Sequence, residues 1–165
     1  PYGFESPTAS TVAAGELFVV NMYGGQSLTG SLTELNASTG ALSRVINNPP
    51  NQLWGDEAVV AGDNSLYMVN SIGQVAQVNP STGKVLRRLN ASNEPFAGLI
   101  MGVVLKEGTI YESESQGGLL ALSTITGRVR QVVGEPVSNS AFIELNGLPT
   151  PMAFVGNELF TCRPP

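Results

Sequence analysis

Val75-Ala-Gln-Val-Asn-Pro-Ser-Thr-Gly83 decides how this chain is read, because the same pattern occurs twice more. Its counterparts are Ser31-Leu-Thr-Glu-Leu-Asn-Ala-Ser-Thr-Gly40 and Leu119-Leu-Ala-Leu-Ser-Thr-Ile-Thr-Gly127, and the glycines recur after 43 and then 44 residues. An alternating segment follows each glycine: Ala41 to Ile46, Lys84 to Leu89 and Arg128 to Val133. Glycine after Thr suits a turn that needs positive φ, and alternation on both sides makes the pair a hairpin.

A second register repeats in step with the first. Gly15-Glu-Leu-Phe-Val-Val-Asn21 aligns with Asn64-Ser-Leu-Tyr-Met-Val-Asn70, Gly108-Thr-Ile-Tyr-Glu-Ser-Glu114 and Asn157-Glu-Leu-Phe-Thr-Cys162. Each places an aliphatic–aromatic pair in a strand pattern just after a turn residue. Further apolar strands stand upstream, within Trp54 to Ala61 and Leu99 to Leu105. No segment sustains a helical period. One unit therefore reads strand, turn, aromatic strand, loop, strand ending in Thr-Gly, strand. Four short strands in about 44 residues is the period of a β-propeller blade.

The pattern resembles the YVTN-type and quinoprotein-like propeller repeats, with Tyr67-Met-Val-Asn70 and Asn79-Pro-Ser-Thr-Gly83 as the nearest matches. Asn36 and Asn79 stand where that family often has Asp. The expected fold is all-β, in four-stranded antiparallel blades spanning about 11–48, 53–92 and 98–135, with a partial blade at 140–165. That makes about 3.5 blades, whereas closed propellers have about 4–8. The expectation is an incomplete or partner-completed propeller within one repeat domain. The Pro-Tyr-Gly start and the Cys-Arg-Pro-Pro end suggest a processed chain or a fragment.

Composition bounds the function. Charged residues make up 13% of the chain against about 25% in ordinary soluble domains. Lys84 and Lys106 are the only lysines, beside six arginines. Protein interfaces are depleted in Lys and enriched in Arg, so this surface suits coverage by partners; a hydroxyl-rich extracellular β protein would look similar. A net charge of −5 argues against nucleic acid, which needs clustered Lys and Arg. No apolar run reaches the roughly 18 residues of a membrane span.

Chemistry is bounded as firmly. The chain has no histidine, which excludes His-based triads and His–metal sites from it. Its single cysteine, Cys162, excludes an internal disulfide. No metal set, cofactor motif or catalytic residue is assigned. Gly24-Gly25 and Gly117-Gly118 lack the following Lys-Ser/Thr of a phosphate loop and read as hairpin turns.

The candidate ligand-binding residues are Glu112, Glu114, Asn21, Asn70 and Trp54. Glu112 and Glu114 replace Val19 and Asn21 of the first unit, and alternation sets them on one strand face. Two such carboxylates suit a cation or acid–base work; a solvated edge or an Arg partner such as Arg163 serves as well. Asn21 and Asn70 end equivalent strands, either lining a channel or capping local turns. Trp54 precedes Gly55-Asp56-Glu57, in a ligand-facing loop or as a packing anchor. Asn36-Ala-Ser38 and Asn90-Ala-Ser92 are N-glycosylation sequons, pointing to an extracellular, secreted or organelle-lumen location.

Three functions are compatible with these residues. One is a non-enzymatic interaction or structural subunit of a larger assembly, partnered by proteins or by further blades. Another is part of a secreted propeller lyase or hydrolase whose active site lies outside this segment. The third is a secreted ligand-binding module.

Overall fold

The computed structural model describes residues 2–23, 30–47, 58–71, 73–89, 100–114, 119–133 and 152–161. Among them there is no helix and there are fourteen strands. Strands β1 (Pro7–Ala13), β2 (Glu16–Asn21), β3 (Ser31–Asn36) and β4 (Leu42–Asn47) form one antiparallel sheet in sequence order. Strands β5 (Ala58–Gly62), β6 (Ser65–Val69), β7 (Val75–Val78) and β8 (Val85–Leu89) form a second, and β9 (Ile100–Lys106), β10 (Thr109–Glu114), β11 (Leu119–Ser123) and β12 (Val129–Val133) a third. A two-stranded sheet of β13 (Met152–Val155) and β14 (Glu158–Thr161) completes the set. These are three four-stranded meanders and half of another. The first begins at Pro7, earlier than the repeat pattern places it. Proline is tolerated at the start of an edge strand because it owes the ladder no N–H there.

The registers confirm that the units are repeats. Leu17 pairs with Leu35, Leu66 with Val78 and Ile110 with Leu122. The tight hairpins use the left-handed region at both central positions: Ala14-Gly15, Asp63-Asn64 and Glu107-Gly108. That is the type I′ geometry, whose twist matches the flanking strands. At equivalent positions of the repeats, Leu35, Leu66, Val78, Ile110 and Leu122 are buried. Leu17 and Leu159 are half-buried. Leu159 belongs to a two-stranded sheet, which offers less cover than a four-stranded one.

The chain divides into two compact units, Pro1–Asn70 with Gln74–Leu89 and Ser71–Gly73 with Asn90–Pro165. In the first, Phe18, Val20 and Leu32 from one sheet pack with Val59, Leu66, Met68, Ala76 and Val78 from the next. Both sheets thus contribute alternate residues to one apolar layer, as blade stacking requires. The second unit buries Ile100, Ile110, Leu120, Ala121 and Leu122. There β13 packs on β9, held by Lys106, whose Nζ bonds the Gly156 carbonyl and Asn157 Oδ1 and lies 4.7 Å from the Phe154 ring centre. Phe154 also meets Tyr111 edge-on at 5.1 Å.

Candidate functional site

The Thr-Gly turns share one construction. The N–H of the first residue donates to the carbonyl five residues on: Asn36 to Ala41, Asn79 to Lys84, and Ser123 to Arg128, at 2.8–2.9 Å. The glycine, at φ near +70°, returns its N–H to the carbonyl of that first residue. The threonine hydroxyl accepts the N–H two residues on, at 3.3 Å each time. The first residue's side chain accepts two turn N–H groups, at 2.9–3.1 Å for Asn36, 2.9 Å for Asn79 and 3.2–3.3 Å for Ser123. This is why Asn, Asp or Ser opens the motif, Thr precedes Gly, and glycine closes it.

Two of these turns meet different surroundings. Arg44 of β4 spans from Glu34, which it bonds through Nε at 2.5 Å, to the second turn, where Nη1 and Nη2 bond the Ser81 and Pro80 carbonyls. Ile46 covers the same turn so closely that a Cβ on Gly83 would lie 2.6 Å from its Cγ2. Around Gly40 of the first turn, the same construction finds nothing within 4 Å.

Asn21 is fully buried at the end of β2. Its Nδ2 donates to Ser31 Oγ at 3.2 Å and Thr33 Oγ1 at 3.0 Å, and its Oδ1 accepts the Glu5 N–H at 3.3 Å. Asn70 and Gln74 bond each other, Asn70 Nδ2 to Gln74 Oε1 at 2.9 Å and the Gln74 N–H to Asn70 Oδ1 at 2.8 Å. The two asparagines hold chain returns at the ends of their strands.

Glu112 does not lie at a wet edge. It sits in mid-strand, 1% exposed, between Val103 of β9 and Leu120 of β11. Glu114 pairs through its backbone with Ile100 across a register shift. Trp54, Asn90, Cys162 and Arg163 lie outside the described residues. Among the described residues no three metal-ligating side chains gather, and no helix is long and apolar enough to cross a membrane.

The feature that sequence reasoning missed is a set of exposed aromatic residues on paired backbone segments of the first unit. Asn21 fixes the Glu5 backbone, and Met22 and Tyr23 donate their N–H groups to the Ser6 and Glu5 carbonyls. That pairing brings Tyr23, 54% exposed, beside the segment carrying Tyr2 and Phe4, which are 49% and 44% exposed. The Tyr2 and Phe4 rings stack at 5.7 Å, and Gly3 between them adjoins Val45.

No protein-family model matches the chain, and no curated sequence matches it. Solved structures do. The computationally designed Ika4 protein is similar with a TM-score of 0.63 and 15% identity, over 95% of this chain and 84% of that one. BamB from Moraxella catarrhalis gives 0.57 and 17%, over 93% of this chain and 39% of its own. Quinohemoprotein alcohol dehydrogenase from Comamonas testosteroni gives 0.54 and 14%, over 87% and 23%. BamB and the dehydrogenase are propeller folds, so the likeness fixes the blade architecture. The chain spans less than half the length of either.

Proposed function

We propose that this chain is a non-enzymatic, propeller-type protein-interaction module of a larger assembly, of the YVTN-like kind that its repeats resemble. Its partners are other proteins or further blades. The observation that carries the reading is the stacked Tyr2–Phe4 pair, with Tyr23 on the backbone segment bonded to Glu5 and Ser6, all three left exposed in a chain that is poor in charge. Aromatic residues are the anchors of protein interfaces, and lysine is what such interfaces lack. The likeness to propellers fits this reading without naming a partner.

The test compares the full chain with a variant carrying Tyr2→Ser, Phe4→Ser and Tyr23→Ser. In sedimentation velocity and in crosslinking within the native source, the parent chain should form complexes that the variant loses, while both unfold at similar urea concentrations. A monodisperse, unpartnered parent chain, or complexes indifferent to the three substitutions, would overturn the proposal.

A further inference from the structure

The first Thr-Gly turn carries a sequon, Asn36-Ala37-Ser38, and its geometry divides the Asn36 amide into a used and an unused half. Oδ1 accepts four hydrogens, from Ser38 N at 3.1 Å, Ser38 Oγ at 2.7 Å, Thr39 N at 2.9 Å and Thr39 Oγ1 at 3.0 Å. Nδ2 makes no hydrogen bond among the described residues. Asn36 is half-exposed, Ala37 to Gly40 are exposed, and a Cβ added at Gly40 would meet nothing within 4 Å.

We infer that Asn36 is an N-glycosylation site, and hence that the chain passes through a secretory compartment. The acceptor oxygen shapes the turn, and the nitrogen that would carry sugar is spare. Substitution on Nδ2 therefore leaves all four turn bonds in place. In the transfer, the anomeric carbon of a polyprenyl-diphosphate-linked oligosaccharide bonds to Nδ2. Its bond to the phosphate oxygen breaks, the polyprenyl diphosphate leaves with the electron pair, and the Nδ2 proton passes to a base of the transferase. The hydroxyl required two residues on is that of Ser38, already hydrogen-bonded to the asparagine amide.

The sibling turn shows that the pattern is not general. Asn79 is followed by Pro80, which disqualifies the sequon, and its turn lies under Arg44 and Ile46. A glycan on Asn36 also leaves the exposed aromatic residues clear. Asn36 and Ser31 are opposite ends of β3, about 17 Å apart at the usual strand rise, and the aromatic segments lie at the Ser31 end where Asn21 and Glu5 meet. The inference is thus independent of the interaction proposal.

The experiment maps peptides of the protein from its native source before and after peptide-N-glycosidase. Position 36 should carry a glycan that the enzyme removes, leaving Asp. Bare Asn36 in the native protein, or sugar at Asn90 alone, overturns the inference. In a eukaryotic secretory host, the full chain should show a glycoform that N36Q and S38A lose and S38T retains. Retention of that glycoform in N36Q would equally refute the assignment. The N36D variant keeps an acceptor oxygen for the turn, so it should lose the sugar with no shift in unfolding midpoint.

Discussion

The turns Asn36–Gly40 and Asn79–Gly83 have the same backbone, the same asparagine opening and the same threonine hydroxyl bond, yet they answer to different neighbours. The second is roofed by Ile46 and gripped by Arg44, while the first stands open. Local sequence makes each turn, and what a turn is used for depends on what packs over it. The covered turn joins two sheets; the open one can take a bulky group.

Gly83→Ala against Gly40→Ala should give the largest difference. Both glycines sit at φ +70°, so either alanine pays about 1–2 kcal/mol for the left-handed backbone. At Gly83 the new methyl also collides with Ile46, and overpacking typically adds about 1–3 kcal/mol. Urea unfolding should therefore place Gly83→Ala well below Gly40→Ala in stability. Equal losses would mean that the roof over the second turn yields freely.

Arg44→Ala comes next. It removes two carbonyl contacts and leaves Glu34, with 12% of its side chain exposed, without its cation. Charge-assisted bonds are worth about 1.5–3 kcal/mol when buried, but the Arg44 side chain is 34% exposed, so a loss of about 1–2 kcal/mol is expected. Arg44→Lys should recover less than half, because an ammonium cannot fork between the Pro80 and Ser81 carbonyls. If Arg44→Lys behaved as the parent, the grip would be plain charge attraction rather than geometry.

Much of this architecture is legible in the residues. Thr-Gly at a 43–44 residue spacing announces the turns because each residue there has one physical task, and a Leu or Ile followed by Phe or Tyr marks the second strand of each unit. The Arg44 grip had a signal too: Arg44 and Arg87 each stand four residues after their turn glycine, with Gln131 in the third unit. Its meaning needed the neighbouring turn, which is not local in sequence. For the Glu112/Glu114 pair the sequence left a cation, an Arg partner and a solvated edge open, and only the sheet shows Glu112 buried between Val103 and Leu120. The nearness of Tyr23 to the Tyr2–Phe4 segment was illegible because it depends on the chain at Tyr23 returning to Glu5.

A smaller effect separates the two asparagines. Alanine in place of an asparagine that caps N–H groups costs about 0.5–2 kcal/mol in helix caps, the nearest measured analogue. Asn79→Ala should fall in the upper half of that range, because loosening its turn also disturbs the carbonyls that Arg44 grips. Asn36→Ala should fall in the lower half, since no arginine grips the carbonyls of its turn among the described residues. Thermal unfolding of both variants checks the order, and a costlier Asn36→Ala would break the comparison.

The smallest effect belongs to Ser38→Ala, and its smallness is informative. Ser38 Oγ donates to Asn36 Oδ1 at 2.7 Å, but the bond is exposed and water replaces it readily. The Ser38 and Thr39 N–H groups still anchor Oδ1, so the turn keeps its shape. Surface changes of this kind usually fall within about 0.5 kcal/mol of the parent. Chemical denaturation should therefore find Ser38→Ala as stable as the parent chain, although it removes the hydroxyl on which the sequon depends. A loss above about 1 kcal/mol would mean that the hydroxyl bond holds the turn, and Ser38 would then have a structural duty that the second turn does without.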